Sequence, residues 1–336
     1  MSVAALLNRY APAVCLGTAV AAAGYRRRAL SRSGAVGAAV VGAITHSAGS
    51  WRWSAPLLAF FAGSSALSRL ERGSTGGQAI AAMTERGSRR DLAQVLANGG
   101  VGAFAALWRI AAPHPRWASA FAGAYAAANS DTWATEIGAL SPTAPRMIFS
   151  GREVQPGTSG AVTPTGLAGA VAGSALIGVV AGCTLEGPYP LRRAAAITIA
   201  GMAGSLADSV AGATIQAGYR CPRCREATER HMHRCGTATI LVRGHAWCSN
   251  EVVNALCTAV GAGIALLLTS PPIPRPLDPA PTKAALVVPC SSPHHRSPDR
   301  SRPSATTRPQ SGDQLWRPTH RARRGGQQPP AATSWA

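Results

Sequence analysis

Asn129-Ser-Asp-Thr-Trp-Ala-Thr-Glu136 places two carboxylates, an amide and hydroxyl groups inside a run that is otherwise small and apolar. Residues 117–128, ahead of it, read as the start of a membrane helix, and Ile137-Gly-Ala-Leu140 carries the apolar pattern past the acids. An ionisable group at membrane depth is costly and faces protein or a water-filled cavity, so it marks function. The alternative is that Asn129 ends the helix and leaves both carboxylates in solvent. The apolar continuation favours the first reading.

Composition points the same way. Hydrophobic residues make up 46% of the 336, while charged residues reach only 14% and aromatics 5%. A soluble domain carries about 25% charged residues. Alanine and glycine dominate, as they do where membrane helices pack closely. A formal charge of +19, from 33 basic and 14 acidic residues, raises the question of nucleic acid. The arginines, however, sit in loops between apolar runs, which suits the positive-inside rule better and argues against a nucleic-acid partner. Lys283 is the only lysine. That excludes a P-loop, whose lysine must reach the β/γ-phosphates. The first apolar run lacks a convincing cleavage site and is read as a helix rather than a signal peptide.

Apolar stretches fall at 11–24, 34–49, 54–67, 92–112, 117–140, 160–183, 194–217 and 249–269. Several approach the roughly 20 residues a span needs; the first three are short. The expectation is an all-α polytopic transmembrane bundle of six to eight spans over residues 1–269. Alternation of eight spans puts loops 25–33, 68–91, 141–159 and 218–248, rich in arginine, on one side. The other side receives only Arg52, Arg116, Arg192 and Arg193 in its internal loops. The asymmetry assigns the first side to the cytoplasm and the chain to the cell membrane as a multi-pass protein. Residues 270–336 are basic and rich in Pro, Ser and Arg, a composition expected to stay disordered. An even number of spans would leave this basic tail outside, against the charge rule, so either one short stretch does not cross or the tail is an unrelated extension.

Polar groups converge on one side. With 117–140 and 194–217 as spans, Asp131 and Asp208 both lie nine residues from the cytoplasmic end, roughly 13 Å deep at about 1.5 Å per residue. Ser205 and Asp208 share a helical face, as do Gln94 with Asn98 and Asn250 with Asn254. Amide pairs of this kind serve either as interhelical glue or as ligands. Several carboxylates with oxygen neighbours suit Mg²⁺, which bridges to substrate phosphates. Between the fifth and sixth spans, Gly157, Thr158, Ser159 and Gly160 open a helix and present backbone N–H groups, a natural anion site. Arg146 and Arg152 would add charge-assisted bonds to phosphate. The plainer reading is an ordinary turn with positive-inside arginines. In the last loop Cys221, Cys224, His233 and Cys235 resemble half of a zinc ribbon, with His231, His245 and Cys248 nearby. Structural zinc and free thiols are the two alternatives; a cytoplasmic disulfide is disfavoured.

Five ordered runs carry a resemblance. They are Gln94-Val-Leu-Ala-Asn-Gly-Gly100, Asn129 to Gly138, Pro156-Gly-Thr-Ser-Gly160, Gly204 to Ala213 and Asn250-Glu-Val-Val-Asn254. Together they resemble the integral-membrane family called domain of unknown function 92, which includes plant phytyl-phosphate kinase and transmembrane protein 19. The resemblance spans about residues 30–269. It implies a multi-helix membrane fold and, for the plant branch, transfer of a phosphate from a nucleoside triphosphate, CTP in particular, to an isoprenoid phosphate. On that basis Asp131, Glu136 and Asp208 are expected to hold Mg²⁺, while Asn98, Asn129, Asn250 and Asn254 position oxygens. Arg146, Arg152 and the Gly157–Gly160 turn are expected to neutralise the transferred phosphoryl group. Glu251 stands where the family pattern has an aspartate. The rival class is a cation- or proton-coupled transporter using the same carboxylates; a non-catalytic scaffold comes third.

Overall fold

A computed structural model describes residues 3–71, 73–83, 89–187 and 189–269. The expected tail from residue 270 lies outside them. The chain is mostly helical. In order come α1 (Val3–Arg26), α2 (Arg32–Glu71), α3 (Thr75–Met83), α4 (Leu92–Ala111) and α5 (Arg116–Gly138). A short hairpin, β1 (Arg146–Met147) with β2 (Ala161–Val162), leads into α6 (Pro164–Thr184) and α7 (Pro190–Thr214). A finger of β3 (Gly218–Arg220), β4 (Ala227–Thr228) and β5 (Ile240–Arg243) precedes α8 (Asn250–Thr269). Both sheets are antiparallel, the second in the order β4-β3-β5.

Among the described residues, three helices, α6, α7 and α8, are long and apolar enough to cross a membrane. The polar run from Asn129 to Glu136 dilutes the hydropathy of α5. The two short stretches expected at 34–49 and 54–67 lie in one helix, α2, broken by non-helical torsions at Gly49 and Ser50. Ser50 takes φ 56°, a conformation that costs a non-glycine residue ~1–3 kcal/mol. A Cβ on Gly49 would meet Trp53 Cδ1 at 2.0 Å, so the indole fills the space a side chain would need. His46 Nδ1 and Ser54 Oγ, 3.0 Å apart, tie the two halves together across the bend.

α5 is the hub. Residues 119–130 are buried on every side, enclosed by α2, α4, α6, α7 and α8. A helix apolar all round belongs inside a bundle, and the small residues of α5 let neighbours approach closely. A Cβ on Gly123 would sit 2.4 Å from Gly261 O of α8. Trp53, Phe60, Phe121 and Tyr125 form an aromatic cluster, with centroids 4.6 Å apart for Trp53–Phe121 and 4.9 Å for Phe121–Tyr125. Outward positions such as Val40, Phe104, Val171, Val179, Ile199 and Leu267 are exposed. Such an apolar surface suits contact with lipid.

The helix starts are set locally. Asp91 caps α4 by accepting from Gln94 N at 3.0 Å. Thr163 caps α6 by accepting from Gly166 N at 2.9 Å, with Pro164 at the first helical position, where its missing N–H costs nothing.

Candidate functional site

A cavity of about 400 Å³ opens where the C-terminal ends of α5 and α7 meet the start of α6, the 141–163 loop and the first residue of α8. α5 contributes Asp131, Ala134, Thr135 and Gly138 to its wall, a set at i, i+3, i+4 and i+7 that shares one helical face. α7 contributes Met202, Ser205, Leu206, Asp208 and Ser209, and α8 contributes Asn250. Gly157, Thr158, Ser159 and Gly160 form the facing wall. Asp131, Asp208, Asn250 and the turn, far apart in sequence, therefore share one chamber. Asp131 precedes the end of α5 at Gly138 by seven residues, and Asp208 precedes the end of α7 at Thr214 by six. Both lie at closely similar depth, roughly 10 Å from the helix ends at about 1.5 Å per residue. That is shallower than the sequence boundaries implied, because the helices stop two and three residues sooner.

The turn is built from two successive reversals. Thr158 N donates to Gln155 O at 3.2 Å, and Ala161 N donates to Thr158 O at 3.1 Å. Each reversal has glycine at its third position, Gly157 at φ 89° and Gly160 at φ 83°, as a type II turn demands. The N–H groups of Gly157, Ser159 and Gly160 stand outside those two bonds. Gly160 is pressed on α7: a Cβ there would lie 2.4 Å from Ala213 N.

Two residues at this site carry no signal in the sequence. Glu229, following β4, lines the cavity as a third carboxylate with Asp131 and Asp208. It accepts from the Ser159 hydroxyl and, at 2.8 Å, from Gln216 Nε2. Arg243, at the end of β5, donates from Nη1 to Ser159 O at 3.3 Å. Burial pulls its guanidinium pKa down, and the charge of Glu229 opposes that shift. Arg243 thus sets a basic group beside the turn. In a loop crowded with arginines, neither residue had a spacing to single it out.

The remaining expected site residues lie outside this lining. Glu136 follows Asp131 by five residues, so at 100° per residue it points about 140° away. Buried, it accepts from Ser68 Oγ of α2, and Arg90 Nη2 approaches the same hydroxyl at 3.4 Å. Asn129 is fully buried; its Nδ2 donates to Gly173 O of α6 at 2.7 Å and its Oδ1 accepts from Ser64 Oγ of α2 at 3.3 Å. That is interhelical glue. Asn98 donates to Gln94 O at 3.0 Å and faces a second cavity of about 90 Å³ shared with Arg90, Tyr125 and Thr132. Asn254 is buried one turn beyond Asn250, and its Oδ1 has no hydrogen bond among the described residues. Arg146 is exposed and spent locally, on Glu153 at 2.5 Å and on Gly151 O at 3.1 Å. Arg152 is exposed as well. Glu251 accepts from Ser249 Oγ at 2.8 Å at the start of α8.

In the finger, Cys221, Cys224, His233 and Cys235 gather with their ligand atoms all within 4.8 Å of one another. Cys221 and His233 are buried. The Thr237 hydroxyl, 3.3 Å from the sulfur, and then His233 hold the Cys235 thiol down to about 6. Neighbouring Cys235 pushes Cys224 up to about 11.

Residues 15–262 match the family described as integral membrane protein DUF92. Protein PGR of Arabidopsis thaliana is 31% identical over 229 residues, which cover 61% of this chain and 78% of that protein. No solved structure matches. The chain, a mostly helical bundle with an acidic cavity at one end, matched over residues 15–262 by that family, belongs to the DUF92 integral membrane proteins.

Proposed function

We propose that the chain is a membrane-embedded phosphotransferase that moves a phosphoryl group from a nucleoside triphosphate, CTP favoured, onto an isoprenoid phosphate with the help of Mg²⁺. The observation that carries this reading is the juxtaposition of Asp131 and Asp208 with the 157–160 turn in one cavity. Carboxylates suit a hard cation that bridges to phosphate oxygens, and a glycine-bearing turn offers N–H groups to the phosphate itself. The donor set fits Mg²⁺: Asp131 and Asp208 would hold it, with Asn250, Ser205 and Ser209 orienting its waters or the substrate. When bound, the ion neutralises charge on the triphosphate.

The chemistry asks little of the protein beyond placement. An oxygen of the acceptor phosphate forms a bond to the γ-phosphorus as the bond to the β-bridging oxygen breaks, giving an isoprenoid diphosphate and a nucleoside diphosphate. The acceptor is already anionic, so no general base is needed, and alignment with charge neutralisation supplies the catalysis. Arg243, braced on Ser159 O, places a cation against the turn. The arginine asymmetry of the loops supports a cytoplasmic position for the site.

The test is a transfer assay on purified protein in detergent, with Mg²⁺, γ-labelled CTP or ATP, and a panel of prenyl alcohols and prenyl phosphates. Label in a prenyl diphosphate, lost in Asp131→Asn, is the expected result. Folded protein that binds no nucleotide and labels no acceptor would overturn the proposal and favour a cation-coupled transporter, for which the 157–160 turn has no use.

A further inference from the structure

We propose that Cys221, Cys224, His233 and Cys235 bind one zinc ion, a structural centre that fastens the β3–β4–β5 finger whose Glu229 lines the cavity. The site is separate from the cavity, and the inference does not depend on phosphotransfer.

The four ligand atoms lie close enough together to share one metal ion. Zn–S bonds of about 2.3 Å and Zn–N bonds of about 2.0–2.1 Å put tetrahedral ligand atoms roughly 3.5–3.8 Å apart. Cys221 Sγ and Cys235 Sγ lie 3.7 Å apart, His233 Nδ1 lies 3.1 Å from Cys235 Sγ, and all four ligand atoms fall within 4.8 Å. A disulfide sulfur pair would be about 2.0 Å apart. The backbone is shaped for the same purpose. In the first half Cys224 N points at Cys221 Sγ at 3.4 Å and Arg225 N donates to Cys221 O at 2.8 Å. In the second, Gly236 N donates to His233 O at 2.9 Å. Arg225 and Gly236, each directly after a cysteine ligand, both turn left-handed, at φ 60° and 76°, so the chain reverses at both halves and presents them to each other. His233 Nε2 sits 3.1 Å from Glu226 Oε2. A carboxylate on the far ring nitrogen is the usual partner of a metal-binding histidine and leaves Nδ1 free to ligate.

The finger also has a need for a metal. Its strands span three, two and four residues, and modules below about 40 residues rarely hold together on a hydrophobic core alone. Glu229 lies on the segment between the two ligand pairs. Closing the tetrahedron therefore fixes the stretch that reaches Ser159 and Gln216.

Full-length protein purified in detergent without chelator is expected to carry one zinc per chain by inductively coupled plasma mass spectrometry. After exchange into cobalt(II) it should show thiolate-to-cobalt charge transfer and the strong d–d bands of a tetrahedral ion. Cys221→Ser with Cys224→Ser should lose the metal, whereas Cys15→Ser with Cys183→Ser should keep it. Should the first pair fail to fold, His233→Cys, which keeps four ligands, is expected to retain zinc and gain charge-transfer intensity. Native protein that takes up no zinc, iron or copper in its place, or a His233→Cys spectrum identical to the native one would overturn the assignment.

Discussion

Replacing Gly160 with alanine asks whether the turn facing the carboxylates is held by its fit against α7. The residue sits at φ 83°, where a side chain strains the backbone, and its missing Cβ would lie 2.4 Å from Ala213 N and 2.5 Å from Ala213 Cα and Cβ. The left-handed conformation costs an L-residue ~1–2 kcal/mol. The neighbour is helix backbone and cannot swing aside, so overpacking adds ~1–3 kcal/mol. Gly151 provides the internal reference: φ is 64° and open space surrounds its absent Cβ, so Gly151→Ala meets the strain alone. The two variants should therefore differ by ~1–3 kcal/mol, or roughly 2–12 °C in thermal midpoint at about 2–4 °C per kcal/mol. Thermal unfolding of both variants in the same detergent, followed through intrinsic tryptophan fluorescence, measures that difference. Equal midpoints, or a milder effect at Gly160, would refute the claim that the turn is locked on α7.

Asp131→Asn and Asp208→Asn should each cut transfer at least about a hundredfold, in line with the loss of one preorganised electrostatic contact, while membrane insertion is unchanged; near-native rates in both would remove them from the site. Asn129→Ala removes the bond to the Gly173 carbonyl and leaves the buried Ser64 hydroxyl without its acceptor. It should lower stability by ~1–3 kcal/mol, measured as a lower thermal midpoint, with less than about a tenfold change in transfer per folded molecule, since no charge in the cavity is altered. In chelator-treated protein the Cys235 thiol, held down to about 6, is largely thiolate at pH 7, whereas Cys224, pushed up to about 11, is not. Iodoacetamide should then label Cys235 first, with that preference shrinking as pH falls below 6; mass spectrometry of the alkylated peptides reads the order.

Much of the architecture was legible because polar groups in an apolar chain stand out. Each of the eight apolar stretches falls mainly in a helix, although 160–162 form the end of the turn and β2, and Asp131, Asp208 and Asn250 line one cavity with the 157–160 turn. What sequence spacing does not convey is azimuth and local satisfaction. Glu136 sits in the same polar run as Asp131 but on another face, bonded to Ser68. Arg146 looked like a phosphate ligand, yet its hairpin supplies Glu153 and the Gly151 carbonyl within a few residues. Glu229 and Arg243 were hidden for the opposite reason, in a loop so rich in charge that no single residue draws notice. The α2 bend was invisible as such, because Gly49 and Ser50 read as an interruption between two spans while the helix resumes beyond them.

The enclosure of α5 has a consequence for biogenesis. This segment emerges from the ribosome before α6, α7 and α8, the partners that cover most of its surface. Until they arrive, the Asn129 amide has its Ser64 partner on α2 but not the Gly173 carbonyl of α6. The cavity around Asp131 lacks the walls that α6, α7 and α8 supply, so polar groups that are costly in hydrocarbon are only partly covered. On this geometry α5 completes its packing only once α6, α7 and α8 have been made, so its polar run reaches its final surroundings late. A chain cut short between α5 and α8 would therefore leave α5 without most of the surface that covers it, and is expected to be less stable than the full bundle.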